Sequence, residues 1–424
     1  MSDVPMSRDR VAFPAIAVAR REVARPPLDA AGHASSTIAN APTSGSSDLR
    51  VRIATSLADV ERLGPDWAAL DAQMTTPLFF QSFGWCRFLV QFHGSITTRP
   101  FAPRIISLWD GPHLKAIWPL QLRRSRWHAL LVDLGDPVNQ YGGALIATDV
   151  DAAAIATQLV AEARTILTAD GLLLRKAHVG QPLANVLAAT GFSTGDRDGA
   201  PFITLKGYAS FEAFYKTILS RARRNVRLGR ERFEATGVIA HKVHQGPVEV
   251  AAALAQAMRL KQDWLDDNGL TSTAFSDPSF RPMIEALARG DAPGVELVAM
   301  VLTIDGQPAS IHWGFVGNQR YYLFMTARNQ AYDAHAPGKL HIDYALKDCF
   351  ALGLEVVDLL APAVRYKLDW TKRIDEIQDY ALPFTWRGRL VLDGWQRRLR
   401  PVAKRGFLRL PKTLRQGLAR GLRR

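Results

Sequence analysis

Cysteine and long apolar runs are both scarce in this sequence. Its 424 residues include two cysteines, Cys86 and Cys349, which are too few for a disulfide framework or a four-cysteine zinc site. No run of about 18 uncharged apolar residues is present, so we expect no transmembrane helix. The apolar stretch Val11–Ala19 is short and is followed by arginines, which argues against a signal peptide. We therefore expect a protein of a reducing compartment, most simply the cytoplasm.

Acidic residues are almost missing from the C-terminal end. Residues 387–424 contain thirteen Lys and Arg against one acid, Asp393, whereas residues 51–386 contain 34 basic and 34 acidic residues. The body of the protein is therefore neutral, which argues against a nucleic-acid-binding core and for a tail that meets an anionic surface.

The tail also carries apolar residues at helical spacing. They form two stripes: Trp395, Leu399 and Val402, then Leu414, Leu418 and Leu422. Pro401 and Pro411 are expected to prevent one long helix. We predict a basic amphipathic tail that lies on an anionic membrane surface, peripheral at the inner face of the membrane. A disordered solubilising tail is the alternative.

Segment boundaries follow from composition and periodicity. Residues 1–49 are rich in Ala, Pro, Ser and Gly and predict a disordered leader. Strand and helix signals then alternate through residues 50–205 and again through residues 206–386, where Ser210–Thr236 reads as one long amphipathic helix. The sequence predicts an α/β, layered α+β fold of two lobes, each a mixed central sheet flanked by helices, followed by the tail at 387–424.

The most informative motif lies between Arg320 and Trp370. A strand, Arg320–Thr326, is followed by a polar loop and by Pro337-Gly338 at the start of a helix. A further strand and the dipeptide Tyr366-Lys367 come next. Proline suits the first turn of a helix, and the free N–H groups there suit a phosphate, although a helix start with nothing bound fits equally well.

This order of elements resembles the GNAT acyltransferase superfamily. It is most similar to the CelD/BcsL-like branch of cellulose-biosynthesis acetyltransferases, which is related to the Fem peptidoglycan aminoacyltransferases. The residues that carry the resemblance are Tyr332, Pro337-Gly338, Gly353, Asp358, Tyr366-Lys367-x-x-Trp370, the Arg-rich Ser220–Arg227 and the aromatic Phe79–Trp85. The resemblance implies two tandem GNAT-like lobes, of which the second is the acyltransferase.

The resemblance also implies a site for acyl-CoA (acetyl-CoA) as co-substrate, without a metal. By position, Phe324, Met325 and Thr326 would hold the pantetheine arm through their backbone. Ala336, Pro337, Gly338, Lys339 and Leu340 would cradle the pyrophosphate. The superfamily loop usually has a second glycine that His335–Leu340 lacks.

Four residues are candidates for the chemistry, which is attack of an amine or hydroxyl on a thioester. The resemblance makes Tyr366 the candidate acid for the leaving thiolate. Lys367 is a candidate to stabilise the oxyanion or to bind an anionic substrate group. The general base stays open between His312 and Asp358, since each lies on an apolar strand where a structural role is equally compatible.

These features predict an acyl-CoA-dependent N- or O-acyltransferase acting on a polysaccharide, lipid or other envelope-related acceptor. Two alternatives remain: an aminoacyl-tRNA-dependent, Fem-like transferase and a non-catalytic scaffold for polysaccharide synthesis. The arginines of residues 221–232 are either a solvated helix face or a clamp for anions. Nucleic acid is otherwise not expected as a partner. The sequence does not identify the acceptor, the acyl chain or the oligomeric state.

Overall fold

The computed structural model describes residues 49–74, 78–96, 101–166 and 168–421. Except for Leu49, the predicted leader at residues 1–49 lies outside the described residues. The strands are β1 (Arg50–Ala54), β2 (Pro103–Asp110), β3 (His113–Arg124), β4 (Ala129–Asp133), β5 (Leu145–Ile146), β6 (Gly171–His178), β7 (Phe192–Thr204), β8 (Ile239–His244), β9 (Glu296–Ile304), β10 (Gln307–Gly317), β11 (Arg320–Arg328), β12 (Val356–Asp358) and β13 (Ile374–Pro383).

Helices alternate with these strands along most of the chain. The α-helices are α1 (Leu57–Ala72), α2 (Phe83–Ser95), α3 (Ala152–Thr165), α4 (Pro182–Thr190), α5 (Phe211–Thr217), α6 (Ser220–Glu234), α7 (Pro247–Asn268), α8 (Phe280–Ala288), α9 (Pro337–Ala351), α10 (Arg365–Leu368), α11 (Trp386–Arg389), α12 (Arg400–Arg409) and α13 (Lys412–Gly421). Phe79–Gln81 and Gln330–His335 are 3₁₀-helical, and Leu390–Leu399 is a π-helix. Among the described residues, no helix combines the length and the apolarity needed to cross a membrane.

The strands form one continuous mixed sheet, which confirms the predicted α/β class. Their order is β1-β2-β3-β4-β6-β13-β7-β12-β11-β10-β9-β8, with β5 paired to β3. The pairs β4–β6 and β11–β12 are parallel, and the other pairs are antiparallel. Strands β1–β6 build the first lobe and β8–β12 the second, with helices packed on both faces of each.

The two lobes share strands β7 and β13. The first part of β7 pairs with β13, and its last residues, Phe202–Thr204, pair with β12. Strand β13, which sequence analysis did not predict, follows the second lobe in the chain but lies between β6 and β7. The chain therefore returns to the first lobe's sheet before it enters the tail.

An aromatic cluster lies at the junction of the two lobes. Phe79 stacks on Phe315 of β10 with a centroid distance of 4.7 Å, and Phe80 and Trp85 pack edge-on against the same ring. All four side chains are buried. The aromatic stretch Phe79–Trp85 thus provides much of the packing between the first lobe and the β10–β11 hairpin.

Two predictions about helices are wrong. Ser210–Thr236 is not one helix, because Ile218 and Leu219 are extended and separate α5 from α6. Ile218 is buried in the core beneath these helices, so tertiary packing outweighs the helical periodicity. Pro401 does not interrupt the tail either, because it lies in the first turn of α12, where its missing N–H is tolerated. Pro411 does follow a break, at the extended Leu410.

Candidate functional site

The site begins where strands β11 and β12 separate. Their parallel register covers Arg320–Tyr322 and Val356–Asp358, and β12 ends there. Strand β11 continues to Arg328 with β10 as its partner on the other side. The edge of Phe324–Thr326 that faces away from β10 therefore extends beyond its pairing with β12. An extended backbone edge of this kind can accept and donate hydrogen bonds to an amide-containing ligand arm.

The loop after β11 leads into a helix start that no side chain caps. The Asn329 side chain accepts a hydrogen bond from the Ala331 N–H at 3.1 Å and begins the 3₁₀ segment. Ala336 then adopts a left-handed conformation with φ 53°, and α9 begins at Pro337. A Cβ atom added to Gly338 would meet nothing within 4 Å, so the space outside this turn is open.

The backbone of this turn offers few free donors to an anion. Pro337 has no N–H, the Ala336 N–H donates to the Asp333 carbonyl at 3.1 Å, and the Lys339 N–H donates to the Ala336 carbonyl at 3.1 Å. Lys339 has an exposed side chain, whereas Leu340 is buried and anchors the helix. The residues fit a phosphate at the Gly338 amide, assisted by the Lys339 ammonium and the helix dipole.

Tyr366 and Lys367 lie on the single turn α10, opposite the open edge of β11. The Tyr366 hydroxyl forms a hydrogen bond with the Thr326 side chain. Burial raises the pKa of Tyr366, and this hydrogen bond opposes part of the rise. The phenol therefore stays protonated at neutral pH and is able to donate a proton. Thr326 in turn is the cross-strand partner of His312, so these two side chains point to the same face of the sheet.

The Lys367 ammonium is buried and donates to the Leu360 carbonyl at 2.8 Å. The pKa of Lys367 is lowered to about 8, mainly by burial; the attraction of Asp358 and Asp198 opposes this shift, and the charges of Lys176 and Lys261 add to it. At neutral pH the side chain is therefore charged but weakly solvated, the state in which a cation attracts an oxyanion most strongly.

Sequence analysis did not identify Lys176 and Lys261. Lys176 comes from β6 of the first lobe, has a φ of 52° and donates to the Gln140 side chain at 2.8 Å. Lys261 comes from α7, where its ammonium lies 4.6 Å from the centroid of Trp264. Burial lowers the pKa of both lysines. Two half-buried lysines from distant segments thus add positive charge near the buried Lys367 ammonium, and we call Lys176, Lys261 and Lys367 the lysine cluster.

Asp358 faces the junction between the lobes rather than Tyr366. Its buried carboxylate accepts hydrogen bonds from the Tyr141 hydroxyl at 2.8 Å, from the Arg320 guanidinium at 3.0 Å and from the Leu360 N–H at 2.9 Å. Burial raises its pKa, and the Arg320 charge opposes this rise. These three donors occupy the carboxylate oxygens. The observed contacts therefore indicate a structural role for Asp358, which links the first and second lobes.

His312 lies beneath α9 in a row of histidines. Its ring stacks on His341 with a centroid distance of 3.8 Å, and His341 lies 5.2 Å from His241. Burial lowers the pKa of His312 to about 3, and the neighbouring His241 contributes. The ring is therefore neutral at physiological pH, as a general base must be, but it is buried and reaches solvent nowhere in this arrangement.

The Arg-rich helix α6 is partly paired. Arg221 forms an ion pair with Asp369, next to α10, and Arg230 contacts Asp343 of α9 at 3.2 Å. These two arginines therefore hold α6 against the elements that carry the site. In the part of the chain that the structure describes, no group of three or more His, Cys, Asp or Glu side chains is arranged to hold a metal ion.

Comparison with known proteins finds a family match in the second lobe. Residues 220–368 match the family model described as the acetyltransferase (GNAT) domain, from the start of α6 to the end of α10. The second lobe carries a GNAT acetyltransferase domain. The protein is thus an acyltransferase, whereas the CelD/BcsL-like branch stays a prediction.

One solved structure supports the fold, and two others are similar at lower scores. The crystal structure of FemX is 11% identical with a TM-score of 0.54, and the alignment covers 78% of this chain and 97% of FemX. The C-terminal domain of a putative lysylphosphatidylglycerol synthetase from Agrobacterium fabrum is 12% identical (TM-score 0.49, 80% and 96% covered). A tandem GNAT protein from the clavulanic acid biosynthesis pathway is 14% identical (TM-score 0.45, 79% and 99% covered). No curated protein matches the sequence.

Proposed function

We propose that the second lobe transfers an acyl group from acyl-CoA to an amine or hydroxyl of an anionic acceptor, such as a polysaccharide, lipid or other envelope intermediate. The observation that carries the proposal is the open edge of β11 between the uncapped start of α9 and the Tyr366-Lys367 turn. The GNAT domain match over the same residues supports it.

Each part of this arrangement has a distinct task in the proposed reaction. Bound acyl-CoA supplies the thioester that the acceptor attacks. The backbone of Phe324–Thr326 orients the pantetheine arm, and the Gly338 amide with the Lys339 side chain holds the pyrophosphate. The Tyr366 hydroxyl donates its proton to the departing thiolate, and the Lys367 ammonium stabilises the oxyanion of the tetrahedral intermediate.

The acceptor is inferred from the lysine cluster. Lys176 and Lys261, both half-buried, add positive charge near the buried Lys367 ammonium, and Asp358, the strongest attraction on Lys367, is already paired with Arg320. Bringing like charges together costs free energy, which Asp198 near Lys367 and Lys176 offsets in part. A phosphate or carboxylate on the acceptor would add a further anion and place the nucleophile near Lys367.

His312 and Asp358 are the two candidates for the general base. His312 is neutral and shares a face with Thr326, but it lies beneath α9. Asp358 is engaged with Tyr141 and Arg320. An amine acceptor that arrives uncharged needs no base for its attack, and the proton it then releases can return to the Tyr366 phenolate left after protonation of the thiolate. The observed contacts therefore favour an amine over a hydroxyl.

One observation favours aminoacyl-tRNA as an alternative acyl donor. Because Pro337 lacks an N–H and the Ala336 and Lys339 amides are already bonded, the α9 turn offers less to a pyrophosphate than a chain of free amides would. An aminoacyl-tRNA donor would not depend on this turn. Salt-sensitive binding of charged tRNA, without binding of CoA, would identify that reaction.

Calorimetry with variants of Gly338 tests the donor. Gly338→Asn and Gly338→Asp add side chains of the same size into open space, so both variants should fold. Only the aspartate adds a charge, and two unit charges about 4 Å apart repel by about 4 kcal/mol near a protein surface. We expect Gly338→Asp to bind CoA at least tenfold more weakly than Gly338→Asn. Equal affinities in the wild type and both folded variants would contradict the assignment.

A further inference from the structure

The first part of the basic tail is an integral part of the fold. Val391 and Leu392 of the π-helix are buried against Leu130 of β4, Leu173 of β6 and Ala381 of β13. The Thr385 side chain caps α11 through the Gly388 N–H. From Trp386 to Arg409 the chain is helical without an extended residue. Its side chains therefore keep a defined orientation relative to the first lobe.

One side of this helical segment exposes large apolar side chains. Trp386, Leu390, Trp395, Leu399 and Val402 are exposed by 68%, 56%, 49%, 58% and 59%. The five-residue step from Leu390 to Trp395 matches the i→i+5 hydrogen bonding of the π-helix, so the two residues fall on the same side. Exposed apolar side chains in a contiguous row indicate an interaction site.

The β3–β4 hairpin adjoins this helix and extends the same kind of surface. Its tip reads Arg123-Arg124-Ser125-Arg126-Trp127-His128, and Trp127 is exposed. A cavity of about 210 Å³ separates the hairpin from the helix and is lined by Arg123, Arg124, His128, Arg175, Val391 and Trp395 among others. Arginines and tryptophans from two distant parts of the sequence thus meet at one place.

The charge of this surface is strongly positive. The hairpin tip, Arg175 and residues 386–409 contribute twelve Lys and Arg side chains. Four acids neutralise part of this charge: Asp136 and Asp393 form ion pairs, and Asp170 and Asp379 lie near Arg387 and Arg400. Asp136 pairs with Arg123 and Arg175, and Asp393 pairs with Arg397 and Arg398. The net charge of this surface therefore stays positive and can attract an anionic partner.

We propose that the β3–β4 hairpin tip and the helical segment 386–409 together form a docking face for an anionic phospholipid bilayer. Exposed Leu390, Leu399 and Val402 gain free energy from entering the acyl boundary, which a nucleic acid does not offer them. Tryptophan is the residue that prefers the headgroup level, and arginines attract the anionic headgroups. The cavity beside Trp395 can receive one headgroup phosphate between Arg124 and Arg175.

This proposal does not depend on the identity of the acyl donor. It involves the first lobe and the tail, whereas the donor site involves β11, α9 and α10. It also differs from a freely moving basic tail, because a folded hairpin contributes to the face. Deletion of residues 387–424 does not test it, because the deletion would uncover the core around Val391 and Leu392.

Vesicle sedimentation of the full chain tests the docking face. The probes are vesicles of phosphatidylcholine alone and vesicles with about one third phosphatidylglycerol, at low and high salt. We expect binding to the anionic vesicles, at least tenfold weaker binding to the neutral ones, and release at high salt. Equal binding to both vesicle types, or binding to tRNA in preference to vesicles, would overturn the proposal.

Point variants then separate the hairpin from the tail. The double variant Arg124→Glu/Arg126→Glu should lower the partition coefficient on anionic vesicles at least tenfold, and Trp127→Ser should lower it severalfold. Arg281→Glu and Val248→Ser change an exposed arginine and an exposed valine of α8 and α7 and should leave it unchanged. Thermal melts confirm folding. Wild-type binding by the folded Arg124→Glu/Arg126→Glu and Trp127→Ser variants would remove the hairpin from the face.

Discussion

Replacing Lys367 with methionine should make the protein more stable and inactive at the same time. Burial lowers the pKa of Lys367 from 10.5 to about 8, so the charged form is disfavoured in the folded protein. A shift of this size corresponds to about 3 kcal/mol of unfolding free energy at pH 7. Methionine fills a similar volume without a charge, so the Lys367→Met variant avoids this cost.

The substitution also removes one favourable contact. The Lys367 ammonium donates to the Leu360 carbonyl at 2.8 Å, and a hydrogen bond of this kind contributes about 1 kcal/mol. The net expectation is a gain of about 2 kcal/mol at pH 7. Turnover should fall by at least a hundredfold, because removal of one donor to an oxyanion typically costs about 10²–10³ in rate.

The pH dependence gives this prediction a distinctive sign. Between the folded pKa of about 8 and the unfolded pKa of 10.5, the unfolded chain binds more protons at Lys367 than the folded chain. The unfolding free energy of the wild type therefore rises with pH across this interval relative to that of the variant. The advantage of methionine is complete below pH 8, shrinks above it and becomes a deficit of about 1 kcal/mol near pH 10.5.

Urea unfolding at a series of pH values between 7 and 10.5 measures this difference, together with turnover at pH 7. The matched control is Lys372→Met, which changes an exposed lysine five residues away and should give a small, constant difference in unfolding free energy. A difference between Lys367→Met and the wild type that does not change with pH would refute the burial of a charged amine. Full turnover in a folded variant would refute its part in the reaction.

Three further substitutions address the neighbouring groups. Tyr366→Phe should lower turnover by about 10²–10⁴-fold with little change in donor affinity, because it removes a proton donor and almost no surface; a raised Michaelis constant at full turnover would instead mean that Tyr366 only positions substrate. Asp358→Asn should lower the unfolding free energy by about 3–5 kcal/mol, because it leaves the partly buried Arg320 without its counter-charge, and Tyr141→Phe should cost about 1 kcal/mol. An Asp358→Asn variant with the unfolding free energy of the wild type would show that the junction does not depend on this ion pair.

Elements with local signals could be predicted from the sequence. The hairpin β9–β10 follows from its Asp305-Gly306 turn, in which both residues have positive φ, and α9 begins at the proline that sequence analysis selected. The predicted strand, loop, helix and dipeptide of the site all occur in the expected order. In each case the information lies within a few residues, so no tertiary contact is needed to read it.

Features that depend on distant contacts could not be predicted in the same way. Strand β13 contains Asp375, Glu376, Gln378 and Asp379, and a register shift near Asp379 disturbs its alternation. Its identity as a strand is evident only from its position between β6 and β7. Likewise, Lys176 precedes Lys367 by almost two hundred residues, and the sequence around Lys176 does not distinguish it from a surface lysine. The pKa of each is lowered mainly by burial, which is tertiary information.

The lysine cluster and the sheet show that the matched GNAT domain depends on the first lobe for part of its structure. The family match covers residues 220–368, but Lys176, which shapes the electrostatics of Lys367, comes from the first lobe. The chain after Lys367 continues as β13, whose two neighbours are β6 and β7. Without the first lobe, β13 would lose β6, Asp358 would lose the Tyr141 hydroxyl, and Phe315 would lose its contacts with Phe79, Phe80 and Trp85. The first lobe therefore holds Lys367 and Asp358 in their observed environments, and the proposed reaction would depend on it.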